Sequence, residues 1–244
     1  MWNIDLTLVD VARVSRDAYA EAFQRATGRR LVALPQLAGA SDSEIFFESL
    51  ALNEASPGAS AVWAPSHDTR DVVWQPTDGE LLERYSAELA AAFGARSELL
   101  AERGRLLPGA KEALVALSRL PGVIQTVITG TIKQNAGHKL RAFGLDRYLD
   151  PDIGGFGSDV YPKGTQILRS LDLAKEKYRV PLTPADVVYV ADSIRDVAAA
   201  QVARVRCVGV ASGRSTSAEL RDAGAAPVLD DLSTTSRVVA AITQ

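Results

Sequence analysis

Val187-Val188-Tyr189-Val190 is a short apolar run bounded by polar residues and followed by Ala191-Asp192. β-Branched and aromatic side chains without polar alternation suit a strand covered on both faces, and such strands belong to parallel sheets. The pattern repeats on either side. Residues 196–203 read as a helix and 207–210 as a further strand. Upstream, residues 123–129 read as a strand ending in Thr129-Gly130. Helices are expected over about 132–143, closed by Gly144, and over 165–177, with another opened by Pro108-Gly109 at 110–120. Strands alternating with helices predict an α/β fold, a Rossmann-like parallel sheet with helices on both faces.

The chain opens Met1-Trp2-Asn3-Ile4-Asp5-Leu6-Thr7-Leu8-Val9-Asp10, which reads as a first strand and the polar turn after it. A mostly helical stretch follows. Val11, Val14, Ala18, Ala22 and Phe23 fall near helical spacing, with Gly28 as the stop. A second helix begins near Asp42, a candidate N-cap, and carries Ile45, Phe46 and Leu50. Between Pro57 and Gly79 the sequence is irregular, with three prolines, His67, Trp63 and Trp74, read as loop packing rather than ligands. A long amphipathic helix then sets Leu82, Tyr85, Leu89 and Phe93 on one face. The expected organisation is a core of residues 1–11 and 86–244 with a helical cap, 12–85, inserted after the first strand.

Composition narrows the function classes. Apolar residues are 47% of the 244, enough for an ordinary core, and a formal charge of −3 gives no drive toward nucleic acid or anionic membrane. A single cysteine, Cys207, excludes an intramolecular disulfide and fits a reducing, cytoplasmic setting; as part of an apolar run it reads as a small core residue. No apolar run reaches the roughly 18 residues a membrane span needs, and no basic leader precedes an apolar segment. A soluble monomer or homodimer is expected.

In open parallel sheets, ligands bind beyond the carboxyl ends of the strands. The candidate polar residues fall there. Asn3 and Asp5 follow the first strand, Thr129 the second, and Asp192 and Asp196 the apolar run, while Lys163 precedes the intervening helix. In this order they resemble the four motifs of the haloacid dehalogenase superfamily, and most closely its phosphoglycolate-phosphatase-like branch with a helical cap. The likeness covers most of the chain and is strongest in residues 104–110, 129–145 and 157–159. In that family the first strand ends in Asp-x-Asp-Gly-Thr-Leu-x-Asp; here Asp5, Thr7, Leu8 and Asp10 match, Asn3 takes the nucleophile's place, and Leu6 replaces the glycine.

The resemblance implies Mg²⁺-dependent hydrolysis of a small phosphate monoester through an aspartyl-phosphate. Carried over, Asp5 is the acid/base, Thr129, Gly130 and Lys163 hold the phosphoryl group, and Asn3, Asp5, Asp192 and Asp196 surround the metal. Each residue also has a structural reading. Asp192 and Asp196 suit an N-cap and first-turn acid, Lys163 a solvated surface, and His138, beside Lys139, a surface position.

The departures from the pattern converge on one property. A neutral amide is a very poor nucleophile toward phosphorus, and losing an essential nucleophile costs on the order of 10⁴–10⁶ in rate. Ala191 and Gly164 replace the family's Gly and Pro, Arg204 stands where a helix-ending Gly is common, and Ala40 replaces a phosphate-pairing Arg. Three functions follow. One is a phosphatase weakened or silenced at Asn3. Another is a pseudoenzyme that binds a phosphometabolite or a partner. The third is an enzyme with altered chemistry in which Asp5 attacks, a register resembling the Asp-Lys-Thr opening of P-type ATPases.

Overall fold

The computed structural model describes residues 1–37, 39–53, 76–158 and 162–244. His67, Trp63, Trp74 and most of the irregular 57–79 stretch lie outside the described residues.

The chain forms an α/β core with a helical cap. β3 (Val188–Ala191), β4 (Arg206–Val210) and β5 (Val228–Leu229) run parallel in that order. Single-residue bridges extend the sheet in the other direction. Trp2 bridges both Val190 and Val127, and Ile128 bridges Gly155, all parallel. Four backbone hydrogen bonds of 2.9 Å fix Trp2 at the centre: its N–H donates to Thr126 and its carbonyl accepts from Ile128, while Asn3 donates to Val190 and Val190 to Met1. The indole is 2% exposed, packed in one core with Ile4, Val127, Val190 and Val208, and donates to Gln125 at 3.2 Å. The bridges of one residue, Trp2, thus join the two halves of the sheet.

Helices α5 (Ala110–Ser118), α6 (Lys133–Ala142), α7 (Lys163–Tyr178), α8 (Ile194–Ala203), α9 (Ser217–Asp222) and α10 (Thr235–Thr243) belong to the core. Cys207 is buried in β4, and burial pushes its thiol up to about 12.

The cap comprises α1 (Ala12–Thr27), α2 (Asp42–Leu52), α3 (Pro76–Gly94) and α4 (Ser97–Arg103). Its aromatic centre stacks Phe46 on Tyr85 at 4.2 Å, with Phe23 edge-on to Phe46 and Tyr19 edge-on to Phe93. Gly28 ends α1 in the left-handed conformation that its missing Cβ permits. The helices are bracketed by a two-stranded antiparallel ladder of β1 (Val9–Asp10) and β2 (Arg105–Leu106), reinforced by an Asp10–Arg105 ion pair at 3.0 Å. Residue 85, where the sequence pattern placed the cap's end, lies inside α3. The α2 cap also differs from the sequence expectation. Ser41 caps it, in a reciprocal box with Glu44, and Asp42 occupies the first helical position instead. No helix among the described residues is long and apolar enough to cross a membrane.

Candidate active site

One cleft of about 100 Å³ opens between the sheet's carboxyl edge and the cap, and Asn3, Asp5, Thr129, Gly130, Lys163 and Asp192 all line it. Asp196 does not.

The turn after the first strand explains how Asn3 and Asp5 reach the cleft. The Ile4 carbonyl accepts from the N–H groups of Thr7, Leu8 and Val9, curling the chain back on itself. Such a curl requires a left-handed residue, and Leu6 supplies it at φ 59°. Glycine takes that conformation freely, whereas a side chain pays on the order of 1 kcal/mol. The sequence reading picked out Leu6 at this spot, and the backbone shows why the spot favours glycine. Arg204 is the parallel case, left-handed at φ 57° as the C-cap of α8.

Asn3 is 5% exposed. Its Nδ2 donates to Asp192 Oδ1 at 3.0 Å and to the Asp5 backbone carbonyl at 3.1 Å. The hydroxyl of Thr7, fully buried, donates to the same Asp192 oxygen at 2.8 Å. Gly213 lies so close that a Cβ there would collide with the Asp192 carboxylate at 1.9 Å. Burial and the nearby Asp196 push the Asp192 carboxyl up to about 7, against the lowering effect of Thr7, Asn3 and Lys163.

Asp5 faces the other way. Both its carboxylate oxygens accept from Lys139 Nζ, at 2.9 and 2.7 Å, and Oδ2 also accepts from Thr131 Oγ1 at 3.0 Å. Lys139 is 1% exposed and sits 5.3 Å above the Phe93 ring of the cap. Asp42 stands at the same junction. It accepts from Tyr19 at 2.6 Å and from the Ile132 N–H at 2.8 Å, while its own N–H donates to the Gly130 carbonyl at 2.8 Å. Burial raises its carboxyl and keeps the Tyr19 phenol well above its ordinary value. Gly130 is held because a Cβ there would lie 2.3 Å from the Ala40 carbonyl, so only glycine lets the cap segment settle on this strand end.

Asp196 is fully enclosed. Its Oδ1 accepts from Lys163 at 2.6 Å and Tyr189 at 2.9 Å, and its Oδ2 from Ser193 at 2.6 Å. Its carboxylate therefore orients Lys163, whose side chain is 13% exposed. Thr129 is buried, and its hydroxyl accepts from the Thr131 N–H at 3.2 Å.

Sequence reasoning gave no site role to Lys139, Thr131 or Tyr19, matched Thr7 only to the first motif, and read Asp42 only as a helix cap. For Lys139 a signal existed. Asn135, Ala136, Lys139 and Leu140 form one buried stripe of α6, so helical counting places this lysine inward. His138, its neighbour, is half-buried rather than on the surface.

The family model for haloacid dehalogenase-like hydrolases matches residues 4–204. The chain belongs to that family. Solved structures agree in fold. A hydrolase from Pseudomonas syringae is 20% identical with a TM-score of 0.64, and the match covers 98% of this chain and 96% of that one. A predicted phosphoglycolate phosphatase from Haemophilus somnus 129pt is 19% identical with a TM-score of 0.60, over 98% and 96%. A putative haloacid dehalogenase-like hydrolase from Bacteroides fragilis is 19% identical with a TM-score of 0.62, over 95% and 96%. No curated protein matches the chain.

Haloacid dehalogenase-like hydrolases generally use Mg²⁺. Of the four positions read from the sequence, three converge here: the Asn3 amide, the Asp5 backbone carbonyl and Asp192 Oδ1. Separations of 3.0 and 3.1 Å are near the edge of an octahedron with Mg–O bonds of 2.0–2.1 Å, roughly 2.9 Å. The set fits a small divalent cation once the Asn3 amide is rotated, because as it stands the amide presents hydrogens, not oxygen, to its two partners. Among the described residues no three His, Cys, Asp or Glu side chains group as a metal site.

Proposed function

We propose that the cleft binds the phosphoryl group of a small phosphorylated metabolite and hydrolyses the ester slowly or not at all. The observation that carries this reading is the Asn3 amide. It follows Trp2 at the carboxyl edge of the sheet, where the sequence resemblance puts the family's nucleophile, with its N–H bonds turned into the protein. An amide has no free carboxylate oxygen with which to attack phosphorus and form an aspartyl-phosphate.

The remaining residues suit recognition. Lys163, oriented by Asp196, and the Thr129 hydroxyl are poised for phosphoryl oxygens, with the Gly130 strand end between them. Arg16 of α1 and Arg214, after β4, are exposed on the same cleft and suit an anionic ligand. When bound, Mg²⁺ would supply charge screening of the phosphoryl oxygens, held by Asp192, the Asp5 carbonyl and a rotated Asn3.

Asp5, read as the acid/base, has both carboxylate oxygens paired with Lys139.

A panel of small phosphate esters tests the reading, with the wild-type chain and Asn3→Asp assayed side by side for release of inorganic phosphate and, by calorimetry, for binding. The wild type is expected to bind at least one ester with no turnover above background. Asn3→Asp is expected to gain turnover by a factor on the order of 10² or more. Wild-type turnover in the ordinary range of roughly 1–10³ s⁻¹ would overturn the reading and point to Asp5.

A further inference from the structure

We infer that the Asn3 side chain replaces the divalent cation as the element that organises this site. The reading rests on the proposed function only for the site's location. A cation held by Asp192 and the Asp5 carbonyl would offset the charge of Asp192. The Asn3 Nδ2 group makes the same two connections, one hydrogen bond to each oxygen, at 3.0 and 3.1 Å.

Only one amide orientation allows this. The Asp5 carbonyl accepts only, and Asp192 Oδ1 already accepts from Thr7 at 2.8 Å. An inward-facing amide oxygen would put acceptor against acceptor beside Asp192, where Asn3 is 5% and Asp192 2% exposed. The hydrogens therefore point inward in the metal-free protein. Mg²⁺ can enter only if the amide turns and both hydrogen bonds break, and what it then gains is a neutral oxygen rather than a carboxylate. Each of these lowers cation affinity.

The substitution Asn3→Asp would reverse both effects. Without metal, the new carboxylate would meet Asp192 at hydrogen-bond distance, and two like charges there repel or share a proton. With metal, it would supply a charged oxygen and no bond would have to break. The wild-type chain is thus organised without metal, and the Asn3→Asp variant depends on it.

The experiment uses Mg²⁺ alone, without phosphate ester, so its failure is separate from failure of the binding reading. Thermal melts and calorimetric titrations compare the wild type with Asn3→Asp, in chelator and in Mg²⁺. The wild-type melting temperature is expected to be the same in both conditions. Asn3→Asp is expected to melt lower in chelator, to recover in Mg²⁺, and to bind the ion about tenfold or more tighter than the wild type. Equal affinity in the two proteins would overturn the inference, and so would absence of binding in both, which would put the obstacle elsewhere in the site.

Should Asn3→Asp fail to fold, the wild type still decides the matter. The chain has three asparagines, Asn3, Asn53 and Asn135, so ¹⁵N-asparagine labelling gives three side-chain amide pairs, and Asn3→Ala assigns one of them. The Asn3 pair is expected to be protected from solvent exchange and unmoved by Mg²⁺. Rapid exchange, or a shift on adding Mg²⁺, would overturn the proposal.

Discussion

Two lysine–carboxylate pairs flank the cleft at nearly equal distances, Lys163–Asp196 at 2.6 Å and Lys139–Asp5 at 2.7 Å, yet they are built in opposite senses. In the first the carboxylate is the enclosed member: Asp196 is 0% exposed and also accepts from Tyr189 and Ser193. In the second the lysine is enclosed, at 1%, and the Asp5 side chain is 40% open to the cleft. The difference separates two jobs. An enclosed charge held by several donors fixes the fold around it. A carboxylate held from behind by a buried lysine keeps one side free for a ligand. Lys163 is presented by the first arrangement, and Asp5 by the second.

The largest effect expected from this contrast is on stability, at Asp196→Ala. Removing the enclosed partner leaves Lys163 without its carboxylate and strips acceptors from Tyr189 and Ser193. A loss of about 3–5 kcal/mol is expected from chemical denaturation. A loss below about 1 kcal/mol, the range of exposed ion pairs, would show that the pair is not the structural clamp described here.

The second pair predicts an asymmetry. Asp5→Ala leaves a buried lysine cation uncompensated, whereas Lys139→Met leaves a carboxylate that water already reaches and substitutes an apolar chain over Phe93. Asp5→Ala should therefore be the more destabilising of the two, by about 1–3 kcal/mol. Equal costs in denaturant melts would mean that the two sides of the pair are equally solvated.

A further effect concerns pH. Asp192 is pushed up to about 7 by burial, from an ordinary value of 3.8. The folded state then holds a proton that the unfolded state releases near pH ~4. This contribution to stability is present below pH ~4, declines as pH rises toward ~7, and is flat above it. Urea melts in chelator between about pH 5 and pH 8 should show the decline in the wild type, and Asp192→Asn should remove it. A wild-type slope of the opposite sign would assign Asp192 to the charged side of the cleft, alongside Asp5.

Legibility in the sequence follows the range of the forces involved. Val187-Val188-Tyr189-Val190 announces a buried strand because apolar runs report burial directly, and Gly28 announces a helix end because only its own backbone is at issue. The helices at 110–118 and 133–142 and the 187–210 stretch were legible for the same reason, whereas the strand expected at 123–129 is reduced to single-residue bridges at Val127 and Ile128. Asn3, Asp5, Thr129, Lys163 and Asp192 could be grouped in one cleft from their order along the chain, since strand ends in a parallel sheet share an edge. Asp196 could not be told from a cleft residue, because its enclosure depends on Tyr189, Ser193 and Lys163 closing over it. Ser41 took the helix cap from Asp42 because Asp42 had partners on α1 and at the start of α6 that no local pattern reveals.

By itself the sequence determined the alternation that gives an α/β core with a helical cap, and the order in which Asn3, Asp5, Thr129, Lys163 and Asp192 follow one another along the chain. These are properties of composition and spacing, and no packing alters them. Tertiary structure alone decided which lysine meets which carboxylate, and which way the Asn3 amide points. Those outcomes join residues 134 and 189 positions apart, Asp5 to Lys139 and Asn3 to Asp192. A hydrogen bond between such distant residues exists only after the sheet has brought its strand ends together.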